Sequence, residues 1–217
     1  MAKPLRAILV ASLAVLAATG SQGESRRSDT AGLAATAPQP DRLLSVMTYN
    51  VMGLPWPIAL GRDEALGRIA DRLAALRRAG RQPHIVLLQE AFSPQVAQLA
   101  RRAGYAHVAT GPDIGLRTAI AAGSDDRAYV QAARWDRGET APKQLNSGLL
   151  ILSDYPIAGI DRMAFPDFAC AGFDCLANKG VLIAHLAVPG FDRPVSIVNT
   201  HLNARKAAGV AIARSQR

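Results

Sequence analysis

Two stretches of the chain, Ile85-Val86-Leu87-Leu88 and Leu149-Leu150-Ile151-Leu152, are apolar at every position. Successive side chains of a β-strand point to opposite faces, so an unbroken apolar run is stable only where both faces are covered. These strands therefore belong inside a layered domain, and a sheet with one face open to water is excluded for them. Alanine supplies 41 residues and aromatic side chains only 5%, so the core is aliphatic. A hydrophobic fraction of 49% with 19% charge excludes a disordered or fibrous chain.

Apolar positions at Leu66, Ile69, Ala70, Leu73 and Leu76 follow a 3.6-residue period after Asp63 and predict a helix that Gly80 ends. Ser93 followed by Pro94 opens a second, shorter helix, with Gly104 as its stop. Strands are expected at Leu43 to Tyr49, Ile85 to Leu88, Gly148 to Leu152, Val181 to Val188 and Val195 to Asn199, with a weaker one at Ile157 to Met163. Residues 110–146 carry no decisive period. Short strands alternating with helices and Gly/Pro turns indicate an α/β domain. The helices cover one face of its sheet and leave the other with no evident cover, which predicts a missing segment or a partner.

Lys3 and Arg6 precede an uncharged run of twelve residues, Ala7 to Ala18, followed by the small and polar Thr19, Gly20, Ser21 and Gly23. At about 1.5 Å per residue such a run falls short of a ~30 Å hydrocarbon core. Residues 1–20 thus read as a signal peptide and the protein as secreted or periplasmic. Residues 21–41, rich in Ser, Gly, Ala, Thr and Pro, read as a flexible linker. Residues 43–217 form the domain. The net charge of +8 comes from 21 arginines and four lysines against 17 acids, scattered along the chain. Such a balance suits nucleic acid or an anionic membrane, but it equally follows from base composition, and the few aromatics offer no stacking platform for bases.

Three strands end in polar residues that a phosphate or metal site could use: Asn50, Gln89-Glu90 and Asn199-Thr200-His201. Ligands of open α/β sheets gather at strand ends. Taken singly, Asn50 reads as a turn residue, Glu90 as a helix cap and His201 as a structural hydrogen-bonding histidine. Their local sequences change that reading. Ser45-Val46-Met47-Thr48-Tyr49-Asn50-Val51, His84-Ile85-Val86-Leu87-Leu88-Gln89-Glu90, Asn146-Ser147-Gly148-Leu149-Leu150-Ile151-Leu152-Ser153 and Val198-Asn199-Thr200-His201-Leu202 occur in this order. Together they resemble the endonuclease/exonuclease/phosphatase superfamily, which includes DNase I, inositol polyphosphate phosphatases and neutral sphingomyelinases. Gly53-Leu54-Pro55-Trp56-Pro57 after Asn50, and Ala91-Phe92 after Glu90, lean towards the sphingomyelinase and phospholipase C branch. Asp174-Cys175-Leu176-Ala177-Asn178-Lys179 resembles the loop in which an Asp and a Lys five positions apart couple loop conformation to activity. An exposed loop salt bridge is the plainer reading of that pair.

The resemblance implies a four-layer α/β/β/α sandwich with mixed sheets, the DNase I-like fold. It implies that Glu90 ligates Mg²⁺ or another divalent cation, that Asn50 bonds the phosphate or a neighbouring ligand, and that His201 donates to a non-bridging phosphate oxygen. The implied reaction is hydrolysis of a phospholipid head group at a membrane surface. The alternatives are a secreted nuclease with the same chemistry and a non-catalytic exported binding protein; no obligate protein partner follows. The superfamily also uses an Asp-x-Asn and an Asp-His downstream of the histidine strand. None of the thirteen aspartates here stands in either pattern. This predicts the N-terminal portion of an enzyme, incomplete at its C-terminus and of low activity by itself. The remaining histidines do not replace the base: His84 opens a strand, His107 lies in an uncertain one, and His185 reads as a core residue of an apolar strand.

Cys170 and Cys175 are the two cysteines, five positions apart in one loop. In an exported protein they are expected to form a disulfide, two free thiols being the alternative, and two cysteines without neighbouring histidines make a poor zinc site.

Overall fold

The computed structural model describes residues 43–54 and 60–204. The expected signal peptide and linker, Pro55-Trp56-Pro57 and the segment from 205 to 217 lie outside the described residues. In chain order the elements are β1 (Val46–Asn50), α1 (Arg62–Arg78), β2 (Ile85–Gln89), α2 (Val96–Ala103), β3 (His107–Thr110), α3 (Ser124–Gln131), β4 (Leu150–Ser153), β5 (Ile157–Ala164), β6 (Gly180–Leu186) and β7 (Val195–Thr200). α1 lies where its period puts it and α2 opens two residues later than Ser93-Pro94 predicts, with Gln95 at its N-cap; Gly80 and Gly104 stand in left-handed backbone just beyond the helix ends.

The strands form two sheets. The first has order β1-β2-β4-β3 and is mixed: β1 and β2 are parallel, and β4 is antiparallel to β2 and β3. The second, β5-β6-β7, is antiparallel throughout. Alternation along the apolar strands sorts the core. Val86, Leu88, Leu150 and Leu152 face Leu66, Ala70 and Leu73 of α1 and Leu99 of α2. Ile85, Leu87, Leu149 and Ile151 face Leu182, Ala184 and Leu186 of β6. Each such side chain contributes about 1.5–3 kcal/mol relative to an exposed one.

The expectation of an uncovered sheet face is thus corrected, because the chain supplies the cover itself through its second sheet. Strand periodicity concealed this because the outward face of β6 also carries Val181 and Ile183, so the strand reads as apolar throughout. His185 is corrected too. It is not a core residue but lies on that outward face, where Nδ1 meets Ser196 Oγ and Nε2 meets Asp161 Oδ2, each at 2.8 Å. The segment 110–146, left unassigned above, contains α3.

Candidate active site

Because β1 and β2 are parallel, with Asn50 opposite Gln89, their C-terminal ends share one edge of the first sheet. The chain leaves that edge in left-handed backbone at Met52 (φ 50) and Glu90 (φ 54). Side-chain-bearing residues held there cost of order 1–3 kcal/mol, so the surroundings must fix them. Gly53 does part of this, donating its N–H to the Glu90 carbonyl at 2.8 Å. A Cβ on Gly53 would lie 2.6 Å from that carbonyl oxygen, so the turn requires glycine. The result points the Glu90 carboxylate at Asn50, whose Nδ2 donates to Glu90 Oε1 at 2.7 Å while its Oδ1 accepts Met52 N–H at 2.9 Å.

β7 brings the histidine from the other sheet. Asn199, 2% exposed, donates Nδ2 to the carbonyls of Leu88 and Leu150 at 2.9 Å each and accepts Gln89 Nε2 at 2.7 Å. One carboxamide therefore ties β7 to β2 and β4 and satisfies three partner groups. Two residues further on, His201 Nε2 lies 3.9 Å from Glu90 Oε1. Burial pulls the His201 pKa below the ordinary histidine value, Lys179 adds to this, and the Glu90 and Asp174 charges oppose it. The imidazole is therefore neutral at pH 7, and its buried Nδ1 has no hydrogen-bond partner among the described residues.

Asp174 and Lys179 belong to the same site. Lys179 Nζ pairs with Asp174 Oδ1 at 3.1 Å and donates to the Leu202 carbonyl at 3.2 Å. Asp174 Oδ2 accepts the Ala204 N–H at 3.0 Å. Both ties grip the chain directly after His201. Asp174, Lys179, Glu90 and His201 line one cavity of about 440 Å³, whose wall is otherwise apolar and includes Leu54, Phe92, Phe173 and Leu176. Cys170 and Cys175 are disulfide-bonded with Cα atoms 5.1 Å apart, and they close the loop that carries Asp174 outside this cavity.

Asn199, grouped above with the strand-end residues of a phosphate or metal site, instead joins the sheets, and no packing role for Phe92 or Gly148 was expected. Gly148 has φ +65, and a Cβ there would come within 2.6 Å of the Phe92 ring. The glycine in Asn146-Ser147-Gly148 therefore lets Phe92 occupy the cavity wall. An Asn-Ser-Gly before an apolar strand signals a special turn, but not what packs on it.

No group of three or more His, Cys, Asp or Glu converges among the described residues. The donor set is one carboxylate, Glu90, beside one carboxamide. That set fits a hard cation such as Mg²⁺, which is held by one or two carboxylates and completes its shell with water and substrate phosphate. No described residue bonds Glu90 Oε2, which leaves that oxygen available.

No family model matches the chain, and no curated protein does. Solved structures do. A β-hairpin deletion mutant of beta toxin from Staphylococcus aureus superposes with TM-score 0.56 at 19% identity, over 81% of this chain and 59% of that one. Sphingomyelinase C from Streptomyces griseocarneus gives TM-score 0.54 at 24% identity, over 80% of this chain and 54% of that one. The fold is DNase I-like. A beta-toxin structure with bound magnesium ions shares it, at TM-score 0.54 and 18% identity. The chain spans between 54% and 59% of the length of these proteins. Among the described residues, α1 and α2 cover one face of the first sheet and the second sheet covers the other.

Proposed function

We propose that this protein is an exported, Mg²⁺-dependent phosphodiesterase that cleaves a phospholipid head group, with sphingomyelin as the type substrate. The observation that carries the reading is the meeting of Glu90, held by Asn50, with His201 in a cavity that the Asp174–Lys179 pair and a largely aliphatic and aromatic wall complete. An apolar wall beside a phosphate site suits a lipid better than a polynucleotide, which needs a basic groove and stacked bases.

In this mechanism Glu90 would hold the divalent cation. When bound, the cation polarises the phosphoryl group and stabilises the leaving oxygen. Asn50 orients the Glu90 carboxylate through its Nδ2–H. Neutral His201 keeps one N–H to donate to a non-bridging phosphate oxygen as charge builds there. The Asp174–Lys179 pair holds the backbone that carries His201, which makes loop position a condition of activity.

Among the described residues none is placed as a general base for the attacking water. His84 bonds Ser45 at the opposite end of β1, and His107 pairs with Ser153, which also faces Ile85 at the far end of β2. Turnover by these residues alone is therefore about 10²–10⁴-fold below that of an enzyme with such a base. The test is phosphocholine release from sphingomyelin vesicles against nicking of plasmid DNA, each with Mg²⁺ and with chelator. Mg²⁺-dependent lipid cleavage that falls about 100-fold or more in His201→Ala supports the reading. DNA cleavage without lipid cleavage favours the nuclease. Mg²⁺ binding by calorimetry that is unchanged in Glu90→Gln overturns the metal assignment whatever the activity.

A further inference from the structure

α3 buries none of its side chains, and Val130 within it is 49% exposed. Its apolar side faces a second cavity, of about 390 Å³, behind the disulfide-closed loop. Tyr129 and Val130 of α3 form one wall, and Phe168 with the Cys170–Cys175 bridge forms another. Among the described residues the charged groups lining it are Glu139 and Asp167, both negative.

The charge on Glu139 is only partly offset, by the Arg134 side chain acting from beyond ion-pair distance. Its Oε1 accepts the Gly172 N–H and its Oε2 the Arg134 N–H, both at 2.8 Å, and the Tyr129 hydroxyl also bonds to it. These three donors are neutral, and no described cation lies within ion-pair distance of the carboxylate. The Tyr129 hydroxyl is pushed above its usual pKa, first by burial and then by the Glu139 charge. Asp167 pairs with the exposed Arg117 at 3.7 Å, a pairing that screens little of its charge, and it also interacts with the more buried Lys143 ammonium.

A volume of this size lies within the usual ~300–1,000 Å³ of small-molecule sites. Its lining selects the ligand. An anion would meet two carboxylates, and a hard inorganic cation needs a shell of oxygens that the aromatic and aliphatic walls do not offer. An alkylated ammonium spreads a weakly hydrated charge over methyl groups, which pack on apolar walls and are drawn to aromatic faces and carboxylates together. We propose that the cavity between α3 and the 170–175 loop binds a small quaternary alkylammonium ion, held by Tyr129, Phe168 and Glu139. This site is separate from the Glu90 cavity and does not rest on the phosphodiesterase reading.

Calorimetric titration of the full chain with choline and with its uncharged carbon isostere, 3,3-dimethylbutan-1-ol, tests it. Choline should bind at least about tenfold more tightly than the alcohol, and Tyr129→Leu and Phe168→Leu should each weaken it about 2- to 30-fold. Glu139→Gln, which keeps an acceptor for Gly172 N–H, should reduce choline binding towards that of the alcohol. Val130→Trp, which fills the cavity from the exposed side of α3, should abolish binding with the far-ultraviolet dichroism unchanged. Equal affinity for the two probes, or no binding of either, overturns the proposal. So does loss of choline binding in Glu90→Gln with none in Tyr129→Leu, since the cation would then occupy the other cavity.

Discussion

The pair Asp174–Lys179 gives an asymmetric prediction. The Lys179 side chain is 6% exposed and that of Asp174 28%. Asp174→Asn leaves a buried ammonium with the Leu202 carbonyl as its remaining partner. Removing one partner of a buried ion pair costs about 3–5 kcal/mol, because the other charge stays desolvated. Lys179→Met removes the buried charge and keeps an apolar stem, while Asp174 retains the Ala204 N–H and some water. Its cost is about 1 kcal/mol, the net worth of the lost hydrogen bond. At roughly 2–4 °C per kcal/mol for a chain of this size, Tm should fall by about 6–20 °C in Asp174→Asn and by about 2–4 °C in Lys179→Met. The double variant should resemble Lys179→Met, since no buried charge is stranded. His201 reports the same geometry with opposite signs. Lys179 lowers its pKa and Asp174 raises it, so Lys179→Met should move the His201 titration up and Asp174→Asn should move it down. Calorimetry for Tm and ¹H–¹⁵N NMR titration of the imidazole measure both effects. A costlier Lys179→Met, or His201 shifts of one sign, would refute the reasoning.

Asn199→Leu strands the carbonyls of Leu88 and Leu150 and the Gln89 amide at the junction of the two sheets. It should cost about 2–4 kcal/mol in urea unfolding, at about 1–3 kcal/mol per stranded group with partial relaxation. Gly148→Ala forces a side chain at φ +65 into the Phe92 ring. A loss of about 1 kcal/mol or more, with Phe92 displaced in the NMR spectrum, is expected. The lowered pKa of His201 sets a pH dependence: as pH falls, the unfolded chain takes up the proton first, so protonation favours unfolding. This contribution to stability is intact above the ordinary histidine value of about 6.5 and declines below it. The wild-type protein should therefore lose more stability between neutral pH and pH 5.5 than His201→Asn, as followed by urea denaturation.

Local chemistry made much of this fold legible. Leu66, Ala70 and Leu73 recur at helical spacing, Gly80 and Gly104 take the left-handed positions that end helices, and the apolar runs at 85–88 and 149–152 demanded two covered faces. Each of these signals arises within a few residues of chain. Asn50, Glu90 and His201 were singled out as strand ends, and the four ordered motifs supplied roles for them to test.

What supplied the second cover was not legible. Val181 and Ile183 make the outer face of β6 as apolar as its inner one, so the strand's alternation did not show which side met the first sheet. His185 was misread for the same reason. The grip of Asp174 and Lys179 on residues 202–204 and the bridge from Asn199 to Leu88 join groups far apart in sequence. The sequence by itself determined which segments become helix or strand and which polar residues end them, because propensity, capping and periodicity are short-range. Only the tertiary structure decided that two sheets meet face to face and bring Glu90 and His201 together, because that depends on which distant strands bury each other's side chains.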